Sequence, residues 1–103
     1  MRKIVPTEFS ANVAWGACDI ERINDASIRL HWTDAPYIWH INDGPEVFVV
    51  LDGQVDMHTR QNGQEQIVQL NVGDIFHARD GDAHMAHPRG VARVLVIEQA
   101  GSV

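Results

Sequence analysis

Cysteine is almost missing from this chain: Cys18 is the only one in 103 residues. An intrachain disulfide is therefore impossible, and a thiolate cluster around a metal cannot form. No apolar run reaches membrane-spanning length, and the opening MRKIVPTEFSANVAW carries two basic residues without the apolar stretch of a signal peptide. Positive charge is scarce as well. Eight Lys and Arg stand against 14 Asp and Glu, a formal net charge of −6, and no basic stripe follows the line of a phosphate backbone. These absences exclude a disulfide scaffold and argue against nucleic acid and membrane as partners. The expectation is a soluble protein of a reducing cytoplasm.

What is present is an ordinary globular composition, 45% hydrophobic and 21% charged, in a length suited to one domain over residues 1–103. Glycine and proline cut the sequence into short pieces, and between the cuts lie apolar and β-branched runs. Residues 27–32, SIRLHW, alternate, with Ile28, Leu30 and Trp32 on one face and Ser27, Arg29 and His31 on the other. Further runs follow as YIWHIN, EVFVVLDG, QVDMHT, EQIVQL, IFHA, AHMAH and VARVLVIE, separated by NDGP, RQNGQ, NVGD, RDGD and PRG. Strand and turn signals at this regular spacing predict an all-β chain, an antiparallel sandwich or barrel. The run VFVVL at 47–51 is apolar on both faces and needs cover on its outer side, from a second sheet or a partner subunit. The same holds for VLVI at 94–97. With three Trp in so short a chain, apolar surface is left for a homodimer. The first 25 residues are less regular, with VPTEF either a short helical turn or an edge strand.

Six histidines fall at positions 31, 40, 58, 77, 84 and 87. An isolated His is most often a surface or satisfied core residue, so only grouping singles one out. His40 and Asn42 share strand parity, and Glu46 follows a turn at the head of the next strand, so two antiparallel neighbours would present imidazole, amide and carboxylate to one volume. His84 stands just after the RDGD turn on another strand.

On these residues the sequence resembles the small single-domain cupins, most nearly the conserved-barrel members often called mannose-6-phosphate isomerase-like. The first cupin motif runs G, five residues, H-x-H, three or four residues, E, six residues, G. HINDGPEVFVVLDG matches its latter part at His40, Glu46 and Gly53, with Asn42 in place of the second His. The second motif runs G, five residues, P-x-G, two residues, H, three residues, N. GDIFHARDGDAH matches it at Gly73, Gly81 and His84, with Arg79 for the proline and Pro88 for the final Asn. The resemblance covers residues of about 28–98 and implies a jelly-roll, or double-stranded β-helix, barrel of two antiparallel sheets. Cupins span oxygenases, isomerases, epimerases, decarboxylases, storage and sensing proteins, so it implies a vessel and leaves its contents open.

Carried over residue by residue, the match implies a mononuclear site of His40, Glu46 and His84, the two-imidazole, one-carboxylate set that suits non-haem Fe(II) or catalytic zinc. The ion would be a divalent one such as Fe, Mn, Ni or Zn. Asn42 would contribute an amide oxygen or hold a metal-bound water and leave a position open. The opposing expectation is a metal-free barrel in which Glu46 pairs with a protonated His40 or His84. His77 shares parity with Ile75 and is either a replacement ligand and proton carrier or a half-exposed strand residue. His58 belongs to a polar face with Gln54 and Asp56, and His87 reads as surface. Phe48, Met57, Phe76, Trp32 and Trp39 read as core. Two functions stay open: a metal-dependent enzyme acting on a small oxygenated substrate, and a non-catalytic barrel binding a small molecule.

Overall fold

The RQNGQ segment turns through Asn62 and Gly63, both at positive φ (52° and 75°), the geometry a two-residue hairpin needs to match strand twist. This local logic recurs along the chain of the computed structural model, which describes residues 1–102. After a 3-10 turn at Pro6–Glu8 come β1 (Gly16–Ile23), β2 (Ala26–Thr33), β3 (His40–Ile41), β4 (Glu46–Asp52), β5 (Val55–Gln61), β6 (Gln64–Leu70), β7 (Ile75–Ala78), β8 (Ala83–Pro88) and β9 (Ala92–Gln99). One sheet has the order β1-β2-β9-β4-β7 and the other β3-β8-β5-β6, with every pairing antiparallel. The all-β, two-sheet barrel is thus the observed architecture. No helix among the described residues is long and apolar enough to cross a membrane.

The inward residues of both sheets meet in one core: Phe48 and Val50 of β4, Val55 and Met57 of β5, Leu70 of β6, Ala86 of β8, and Ala92, Val94 and Val96 of β9. Full burial of each larger aliphatic side chain stabilises the fold by roughly 1.5–3 kcal/mol. Gly53 closes the β4–β5 turn at φ 80°, where an added Cβ would lie 2.4 Å from the Val91 carbonyl oxygen, so the β8–β9 connection can pass directly over it.

Three sequence expectations change. First, β1 was hidden in the irregular N-terminal region, because a bulge between Asp19 and Glu21 reverses its parity and its edge position leaves much of it exposed. Second, β3 and β4 are not neighbours. β3 pairs with β8 and β4 with β9 and β7, so the NDGP segment crosses between sheets instead of closing a hairpin. The crossing is held by Asn42, whose N–H donates to the Asp82 carbonyl while its own carbonyl accepts from Gly81 N–H. Third, the outer side of β4 is covered in part by the chain's own N-terminal segment. The 3-10 turn packs on β4, and Arg93 Nε donates to the Phe9 carbonyl at 2.7 Å. Ile75, on that outer face opposite Val49, remains exposed.

Candidate metal centre

His40 and His84 are direct partners on the β3–β8 ladder, so the backbone pairing sets their side chains on one face. Their rings lie 4.4 Å apart, centroid to centroid. Glu46 reaches the same volume from the opposite sheet, at the head of β4. Ligand atoms of His40, Glu46 and His84 all lie within 4.8 Å of one another, and Glu46 and His84 are buried. The three form a cluster able to hold a metal ion. Asn42 is buried too and points inward, its Oδ1 accepting a hydrogen bond of 2.7 Å from His84 Nε2.

Several polar atoms here are both buried and unpaired. His40 Nε2, Asn42 Nδ2, Glu46 Oε1 and His84 Nδ1 have no hydrogen-bond partner. Glu46 Oε1 is 3.5 Å from His84 Nε2, close but without hydrogen-bond geometry. His40 Nδ1 donates to the Ile38 carbonyl at 3.0 Å, which places its proton on Nδ1 and leaves the Nε2 lone pair free. Imidazole lone pair, carboxylate oxygen and amide oxygen make a donor set that suits a divalent ion.

Burial sets the charge states. It lowers His84 to about 4, aided by neighbouring His40, so this imidazole is neutral and competent as a ligand at neutral pH. On the other side, Glu98 of β9 stands directly opposite Glu46 of β4 and shares a side-chain hydrogen bond with it. Burial and the Glu46 carboxylate push Glu98 up to about 8, and burial also raises Glu46. Glu98 therefore holds the shared proton and donates to Glu46.

The remaining candidates lie elsewhere. His77 does share parity with Ile75, but both point outward, because Phe76 and Ala78 occupy the inner face of β7. His58 sits on the outer face of β5, bonded through Nδ1 to Glu65 at 3.0 Å, and His87 is an exposed residue stacked against it. Met57 and Phe48 are core, whereas Trp39 is half-buried beside His58 on the outer surface, with the Arg60 guanidinium 4.2 Å from its ring centroid. Trp32 is half-buried outside, opposite Arg93.

Sequence reasoning missed half of the cavity wall. Arg29 and His31 pair with Val96 and Val94, so the polar face of β2 looks into the barrel. They join Trp15, Tyr37 and Glu98 around a cavity of about 200 Å³ that reaches His40, Glu46 and His84. Trp15 adopts φ 63°, unusual for a large residue, and is pinned there by Nε1 donating to the Ala35 carbonyl at 2.9 Å and by edge contacts with Tyr37 and His31. The one available signal was Glu98, which shares strand parity with Val94 and Val96.

No family model matches the chain, and no curated protein matches it. Solved structures do. A cupin-2 domain protein from Shewanella frigidimarina is similar with a TM-score of 0.76 and 24% identity, over 86% of this chain and 84% of that one. A double-stranded β-helix protein from Klebsiella pneumoniae gives 0.76 and 17%, over 100% and 96%. A hydroquinone 1,2-dioxygenase solved in complex with Fe3+ gives 0.78 and 15%, over 87% of this chain but 29% of the dioxygenase. The shared feature is the cupin double-stranded β-helix.

Proposed function

We propose that this cupin-fold chain binds one divalent first-row metal ion, Fe, Mn, Ni or Zn, through His40, Glu46 and His84, and acts with it on a small oxygenated substrate. Asn42 completes the site. The supporting observation is the pair of buried, unpartnered acceptors, His40 Nε2 and Glu46 Oε1, converging from opposite sheets. An unsatisfied buried polar atom costs roughly 1–3 kcal/mol, and a shared cation removes that cost. A hydroquinone 1,2-dioxygenase solved in complex with Fe3+, part of which has a similar fold, adds support by analogy.

When bound, the metal supplies a Lewis acid or an oxygen-activating centre with open positions. The chain's own groups do the rest. The Ile38 carbonyl orients His40, protonated Glu98 holds Glu46, and the free Nδ2 of Asn42 offers a donor to a substrate oxygen. Trp15 and Tyr37 form a wall that limits access of water. The same reading takes residues 1–103 as one working unit, a cytoplasmic homodimer with neither nucleic acid nor membrane as partner.

Equilibrium dialysis followed by elemental analysis tests the metal. About one divalent ion per chain is expected, with His84→Ala losing it. A protein that stays metal-free in excess divalent ions defeats the reading.

One observation favours a second function, a non-catalytic, metal-free barrel for a small ligand. His84 Nε2 is already satisfied by Asn42, and Glu46 already has Glu98. On that reading a ligand raises the melting temperature without turnover or added metal.

A further inference from the structure

The cavity is asymmetric. The candidate metal ligands line one end, and the other end holds Arg29, the one permanently charged cation lining it among the described residues. Arg29 Nε donates to Asp19 Oδ1 at 2.7 Å, while its two terminal amino groups bond no acceptor among the described residues. A guanidinium with its fork free is a ready partner for a carboxylate.

His31, beside it on the same inner face, does not compete as a cation. Its Nδ1 donates to the Trp15 carbonyl at 2.9 Å, and burial lowers its pKa, with Arg29 adding to the effect. Between the two ends the lining is hydrocarbon and ring: Phe48, Met57, Ala86, Val96, Trp15 and Tyr37.

Volume limits the guest. An apolar cavity of about 150 Å³ accepts benzene, and drug-sized ligands occupy pockets of roughly 300–1,000 Å³. About 200 Å³ therefore suits a compact body of single-ring size with one small polar group.

From this geometry we infer that the cavity binds a small monocarboxylate, with its carboxylate on Arg29 and its compact apolar body against Phe48, Met57 and Val96, directed toward His40 and His84. The inference rests on the proposed metal site only for what the far end of the ligand meets; the Arg29 contact needs no metal.

The test is calorimetric titration of the full chain, stripped of metal with a chelator, using cyclohexanecarboxylate, cyclohexylmethylamine and cyclohexanol as probes. These share a six-membered carbocycle and differ in charge. The acid is expected to bind at least tenfold more tightly than the amine or the alcohol. Arg29→Gln is expected to lose at least tenfold of that affinity and Arg29→Lys less, with folding verified by circular dichroism. Asp19→Asn, which removes the carboxylate now competing for Arg29 at an exposed position, is expected to tighten acid binding. Absence of acid binding, equal or tighter binding of the amine or alcohol, or full affinity in folded Arg29→Gln overturns the inference. Because all of these titrations are metal-free, they fail or succeed separately from the dialysis experiment.

Discussion

The barrel interior has a dry end and a wet end, built from the same strands. Along β4 the inward residues run Glu46, Phe48, Val50; along β9 they run Glu98, Val96, Val94, Ala92; along β8, His84 gives way to Ala86 and Pro88. At one end the side chains fill space, with Val50, Val55, Met57 and Val94 at 0% exposure. At the other, polar groups at matching heights on opposing sheets leave a cavity and several unpaired atoms. Stability is thus concentrated at one end and the candidate site at the other, with β4, β8 and β9 contributing to both. The polar end tolerates unsatisfied atoms because hydrocarbon at the dry end holds the strands in place.

If the division is real, substitutions at the two ends should differ in kind. The largest effect is expected from Val50→Asp, which places a carboxylate with no partner in the dry end and should cost about 5 kcal/mol or more. Circular dichroism and denaturant titration should find little folded protein; a cooperative, near-native transition would erase the distinction between the ends.

Next comes pH. The unfolded His84 imidazole takes a proton near 6.5, whereas the buried one takes it only near 4. Below pH 6.5 the unfolded state therefore gains a proton at His84 that the folded state does not, and the His84 contribution to stability falls as pH drops from 6.5 to 4, while Glu98, held up to about 8, contributes in the opposite sense down to its ordinary carboxylate range. At 1.36 kcal/mol per pH unit the loss is about 3 kcal/mol. Urea denaturation of metal-free protein across that window should show a stability that falls less, or rises more, toward acid in His84→Ala than in the unsubstituted chain; an identical slope in the two would mean that His84 does not contribute to the acid limb.

The smallest effect is expected from Asn42→Ala. It removes the acceptor for His84 Nε2 and should destabilise the metal-free protein by about 1–2 kcal/mol, while changing metal affinity by less than tenfold. A loss of metal affinity equal to that of His84→Ala would make Asn42 a principal ligand.

Most of the fold was legible because strand length, turn residues and parity are local properties. EVFVVLDG, QVDMHT, EQIVQL and VARVLVIE become β4, β5, β6 and β9 nearly as read. The meeting of His40, Asn42, Glu46 and His84 was also legible, through motif spacing. What parity cannot supply is which face is inward and which strand lies opposite. Parity leaves His77 undecided for the first reason and sets β3 beside β4 for the second. Arg29 and His31 illustrate the same gap: their alternation was plain, but a polar strand face ordinarily meets solvent, and here it meets the cavity. β1 escaped notice because one bulged residue scrambles an alternating pattern.

The β3–β8 ladder has one further consequence. It is only two residue pairs long, His40 with His84 and Ile41 with Ala83, yet it fixes the spacing of the two imidazoles. Short ladders at a sheet edge are the first to open in local fluctuations, well below the free energy of global unfolding. Release of that ladder, with the flanking bonds from Tyr37 N–H to the Ala86 carbonyl and from Asn42 N–H to the Asp82 carbonyl, would carry His40 away while the hydrocarbon plug stayed intact, so the lifetime of anything held between the imidazoles is bounded by how often this edge breathes.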